Sequence, residues 1–72
     1  MVNINKLKGK IIEKGLNVEK LAEMIEIDRA TLYRKINSNG ENITIKEADL
    51  IAKALELTVT EINAIFFNSY VA

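Results

Sequence analysis

Arg29, Ala30, Tyr33, Arg34 and Asn37 recur at steps of one, three and four residues. On a helix turning about 100° per residue they fall together on one side. The set holds two guanidinium groups, a phenol, an amide and one small side chain. Arginine forks match the O6 and N7 acceptors of guanine, and an alanine methyl fits against the methyl of thymine. Phenol and amide groups grip phosphate oxygens. These residue types at this spacing suit the reading of base edges and the holding of a phosphate strand.

Two short helices must position that stripe. Asp28 is a good N-cap for a helix running to about Asn37, with Leu32 and Ile36 turned toward a core. Asn17 caps the helix before it, where Val18, Leu21, Ala22 and Ile25 follow at helical spacing. Glu26 and Ile27 break the pattern and form a tight turn. Ala22 is small where two angled helices come closest. The N-terminus of the first helix of this pair favours a phosphate, and the Asn17 side chain can help to hold one.

Residues 17–37, NVEKLAEMIEIDRATLYRKIN, resemble the helix-turn-helix of the phage Cro and repressor family, the xenobiotic-response-element-like regulators. Ala22 in the first helix, Ile27 in the turn and Leu32 in the second helix match that family's pattern. The likeness extends from about Leu7 to Phe67, less sharply, through the number and length of the flanking helices. It implies an all-α, compact five-helix, repressor-like fold over residues 1–72 with its second helix of the pair in the major groove of double-stranded DNA. On that basis the DNA-binding residues are Asn17, Arg29, Ala30, Tyr33, Arg34, Asn37 and Asn39. Transcriptional control in a phage or mobile element is the implied role. Three positions depart from the pattern. Val18 stands where the family often has a phosphate-holding Gln, Glu26 where it often has Gly, and Lys35 where it usually has an apolar residue. A left-handed non-glycine residue at position 26 costs roughly 1–2 kcal/mol.

The composition bounds the rest. A chain of 72 residues is one small domain, and 49% apolar residues suffice for a single core. Proline is absent and aromatics are few, which favours helices. Without cysteine there are no disulfides or thiolate metal sites, which suits a reducing cytoplasm. No apolar run approaches the roughly 20 residues that cross a membrane, and the opening residues show no signal-peptide pattern. The net charge is zero, yet residues 1–38 carry a balance of +3 and residues 39–72 one of −3. A local basic face is what binds phosphate, so the neutral total is compatible with DNA.

The flanking elements follow from caps and periodicity. A first helix is expected from about Asn5 to Lys14, capped by Asn3 or Asn5, with Ile4, Leu7 and Ile11 inward and Gly15 as its stop. Gly9 weakens it by roughly 1 kcal/mol relative to alanine. Lys6, Lys10 and Lys14 line one of its faces, either as solvated charge or, for Lys10 and Lys14, as flanking contacts to a DNA backbone. Ser38 to Asn42 form a polar loop around the Asn39-Gly40 turn pair, whose amides either touch phosphates or simply make the turn. Thr44 with Glu47, and Thr58 with Glu61, are two capping boxes. The fourth helix then buries Ile45, Ala48, Ile51, Ala52 and Leu55, and the fifth carries Val59, Ile62, Ile65, Phe66 and Phe67. The core is expected at Leu21, Ile25, Leu32, Ile36, Ile51, Leu55 and Ile62.

Catalytic tools are missing. Histidine and cysteine are absent, there is no glycine-rich phosphate loop, and Ser38 and Ser69 have no base nearby in sequence. Neither an enzymatic activity nor a cofactor or metal is expected. Glu19, Glu23 and Glu26 read as a solvated helix face. A second reading is a helical adaptor or antitoxin-like domain of the same fold with weak or no DNA binding. A stripe of arginines free of carboxylate partners discriminates for DNA. Self-association as a DNA-bound dimer is expected through Phe66, Phe67 or Tyr70, unless Phe66 belongs to the core.

Overall fold

The computed structural model describes residues 2–67. Five helices follow one another: α1 (Ile4–Glu13), α2 (Val18–Ile25), α3 (Arg29–Asn37), α4 (Ile45–Ala54) and α5 (Val59–Phe66). The architecture is all-α, as expected. Each start is fixed by a side chain that accepts a backbone N–H of the first turn. Asn3, Asn17 and Asp28 accept from Lys6, Lys20 and Thr31 at 3.1, 2.8 and 3.1 Å. Asn3, not Asn5, is the cap of α1, so this helix begins one residue earlier than its pattern suggests. Both capping boxes form, with Thr44 and Thr58 exchanging bonds with Glu47 and Glu61.

The ends are equally regular. After α1, α2 and α4 the chain turns through one left-handed residue, Gly15, Glu26 and Glu56, and after α3 through two, Asn39 and Gly40. Each time the amides of the first left-handed residue and the next return to carbonyls of the last turn, as in Ile27 N to Ala22 O at 3.0 Å and Leu57 N to Ala52 O at 3.0 Å. This paired bonding satisfies carbonyls that the helix leaves open. Glycine and asparagine adopt the conformation at little cost, whereas Glu26 and Glu56 hold it under strain.

Leu7, Ile11, Leu21, Ala22, Ile25, Leu32, Ile36, Ile51, Leu55, Ile65 and Phe66 form one core cluster. Helix α2 sits centrally against α3 and α4, while α1 packs on α5. Six of the seven expected core residues are buried; Ile62 is partly exposed and packs on the cluster from outside. The deep positions of α5 belong to Ile65 and Phe66, because this outer helix is covered on one side only. Ile45, expected inward, is 82% exposed, and Val59 is 74% exposed. Each is the first residue of its helix, beyond the packed turns. Gly9 has open space where a Cβ would stand, so it serves no close helix contact. Gly40 is different: φ is +72°, and a Cβ there would lie 2.7 Å from Val2 Cβ. The turn after α3 is thereby seated on the N-terminal segment, which is itself tied to α5 by Asn3 N donating to Ile65 O at 2.7 Å.

Candidate nucleic-acid interface

Asp28 fixes where α3 begins, and Leu32 and Ile36 fix how it is turned. Both of the latter are buried, at 1% and 2% exposure. Arg34 lies about 180° around the wheel from their mean direction, while Arg29 lies only about 40° from it. Arg34 therefore stands out farthest from the core, exposed and without a carboxylate partner among the described residues. Ala30, Tyr33 and Asn37 are exposed beside it.

Arg29, turned toward α2, meets an acidic neighbourhood. It lines a hollow with Glu19, Glu23 and Asp28, and its Nη1 lies 3.2 Å from Glu19 Oε1. Both partners are mostly exposed, so the pair is worth at most about 1 kcal/mol and a stronger anion can compete for the arginine. The stripe thus divides. Arg34 is unpaired at its outermost point, and Arg29 is engaged at its edge.

On the other flank the structure brings together residues far apart in sequence. Asn17, Tyr33 and Asn37 rim a groove of about 300 Å³ whose floor includes Ile11, Val18 and Ile36. The Asn17 oxygen is used by the Lys20 N–H, which leaves its amide N–H groups as donors at the N-terminus of α2. Asn39 lies two residues beyond α3, in the left-handed conformation, against a second cleft that Asn37 also lines.

A family model for the Cro/C1-type HTH DNA-binding domain matches residues 6–67. The chain belongs to the Cro/C1-type family. Comparison with curated proteins and with solved structures gave no match. Helices α2 and α3 are the helix-turn-helix of this DNA-binding domain, and the family's marker positions have physical work here. Ala22 is 1% exposed between the two helices, Leu32 is buried, and Ile27 packs on the core from the turn. The expected cost at the turn is present too, since Glu26 has φ 57° and ψ 42°.

Among Cro/C1-type chains an apolar residue usually stands where this one has Lys35. Its substitute is an ion pair. Lys35 Nζ reaches both oxygens of Glu47, at 2.8 and 2.6 Å, and the two side chains are mostly covered. Burial pushes the Glu47 carboxyl up, but the bonds from Lys35 and from the Thr44 amide outweigh it and hold the pKa below its ordinary value. Lys35 is therefore engaged within the fold, although it lies on α3 next to Arg34.

Lys10 is likewise withdrawn, being bound by Glu13 at 2.8 Å and by Glu61. The lysine that sequence spacing passes over is Lys8. It is exposed and lines both the Asn17–Tyr33–Asn37 groove and the cleft beside Asn39. No periodic pattern marks it, because many of its neighbours there come from other segments, α2, α3 and the turns beside them.

Proposed function

We propose that the chain is a sequence-specific regulator of transcription that lays α3 in the major groove of duplex DNA. The outward, unpaired Arg34 at the crest of α3 carries this reading, set in a domain of the Cro/C1-type family. Arg34 donates to guanine O6 and N7, Ala30 meets a thymine methyl, and Arg29 exchanges Glu19 for a base edge or phosphate as DNA arrives. Tyr33, Asn37, Asn39 and the Asn17 amide hold the strand on either side. The whole chain acts as one domain, in the cytoplasm, in the gene control of a phage or mobile element; the absence of cysteine and the repressor-like motif support that setting.

One reading helix covers one half-site. Two copies on half-sites about one turn apart multiply specificity, so a two-fold dimer on DNA is proposed. Phe66 is 6% exposed and belongs to the core, which removes it from any such contact. Val59 and Phe67 are the exposed apolar residues of this region, and Tyr70 lies outside the described residues.

The Glu19–Arg29 pair favours a second reading, in which the same fold binds a protein partner and DNA only weakly. A mobility-shift series over rising salt decides between them, using duplex that flanks the encoding gene beside a scrambled duplex. Affinity for the flanking duplex that exceeds the scrambled control at every salt supports the regulator. Equal, weak binding to both supports the adaptor.

A further inference from the structure

Lys8 faces a cleft of about 390 Å³ whose polar lining is Asn3, Asn5, Lys8, Asn37 and Asn39. The lining includes no carboxylate. Ile36 supplies part of its floor. An ammonium and several amides around an open cleft form a donor-rich surface suited to a phosphodiester oxygen. The cleft is preformed. Gly40 is buried against Val2, which seats the loop after α3 on the N-terminal segment, and Asn3 N bonded to Ile65 O ties that segment to α5. Its position is informative as well. Asn37 closes the stripe on α3, Asn39 follows two residues on, and both line this cleft beside Lys8.

We propose that this cleft is a second grip on the DNA backbone, in which Lys8 and Asn5 of α1 join Asn37 and Asn39 on one phosphate beyond the bases that α3 reads. The proposal rests on the DNA-binding reading above and adds to it a contact from outside the helix-turn-helix. Lys8 is the ionic member, and Asn5 is a neutral one. The two therefore leave different signatures. Each neutralised phosphate contributes about 0.9 to the slope of log affinity against log salt.

The experiment measures binding of the full chain, of Lys8→Ala and of Asn5→Ala to the best flanking duplex over a salt series, with phosphate ethylation interference on each complex. Lys8→Ala is expected to weaken every sequence alike, by about fivefold to tenfold near 0.1 M salt, and to lower the slope by about one unit. Asn5→Ala is expected to weaken binding with the slope unchanged. Both variants should lose the interference signal at the same single phosphate. A wild-type complex with Lys8→Ala unchanged in slope and in interference overturns the second grip while leaving the DNA reading intact. No wild-type complex at all overturns the DNA reading itself. Inorganic phosphate is titrated separately, read by the amide shifts of Asn5, Lys8, Asn37 and Asn39. Saturable binding of that ion combined with an unchanged DNA slope assigns the cleft to a free anion and also overturns the proposal. Both residues are exposed, so the variants should melt with the parent, which circular dichroism checks.

Discussion

Lys35 Nζ lies 2.6 Å from Glu47 Oε2, and this pair joins α3 to the first turn of α4. Glu47 also accepts the Thr44 N–H at 2.9 Å, so one carboxylate caps α4 and anchors α3. The orientation of α3 against α4 depends on that anchor.

Lys35→Ala is therefore expected to act on stability rather than on the phosphate count. Removing one partner of a mostly covered pair costs about 1–2 kcal/mol here, between the surface and fully buried cases. Urea unfolding measures it. The salt slope of DNA binding should stay at the parent value, because Lys35 is spent on Glu47. A slope lower by one unit with unchanged stability would place Lys35 on a phosphate instead.

Acid should loosen the fold through two carboxylates. Lys10 and then the Thr58 amide hold Glu61 down from 4.5 to about 2, and Glu47 is lowered as described. Their folded values lie below the unfolded ones, so the unfolded chain binds more protons as pH falls. The stability Glu61 contributes is present above about pH 4.5 and disappears as pH drops toward about 2, and Glu47 adds a loss in the same direction. Urea midpoints taken through that window should fall steadily. Glu61→Gln keeps a side chain fit for a capping box but removes the charge, so its midpoint should depend less on pH than the parent's.

Glu26 and Glu56 sit left-handed at φ 57° and 53°. Glu26→Gly and Glu56→Gly are each expected to raise stability by about 0.5–1 kcal/mol, the relief of strain less the added freedom of the unfolded chain. Thermal melts of the two single variants and the double variant test this. Near-additive gains are expected, since the two turns close different helices.

Gly9 and Gly40 should respond in opposite directions to alanine. Gly9→Ala adds a methyl in open space within α1 and should stabilise by about 0.5–1 kcal/mol. Gly40→Ala drives a Cβ into Val2 at a positive φ and should destabilise. Matched urea curves give both signs, and equal signs would mean that the turn after α3 is not seated on Val2.

What was legible in sequence was local. Asn17, Asp28, Thr44 with Glu47 and Thr58 with Glu61 each act on backbone three residues away, so residue type and spacing suffice to find them. Core residues with neighbours on both sides, such as Leu21 and Ile51, were equally clear. Tertiary choices were not. Lys35 and Lys10 fall on polar faces of their helices, and only the packing of α4 and α5 turns them toward Glu47 and Glu61. Ile45 matches the inward face of α4 in register but lies in its first turn, where nothing covers it. The left-handed turn at Glu56 has no signal in its residue type. Of the site, the wheel gives the stripe on α3, while the Glu19 contact of Arg29 and the place of Lys8 require the assembled bundle.

Base reading by Arg34 is the central claim, and one comparison tests it most directly. Parent and Arg34→Ala proteins are bound to every single-base variant of the best duplex at two salt concentrations. The expected result is a loss of about 1–3 kcal/mol on the best duplex, with discrimination relaxed at one base pair and kept at the others. An equal loss on every variant would show that Arg34 holds only the backbone, and recognition would then have to lie with Arg29 and the 38–42 loop.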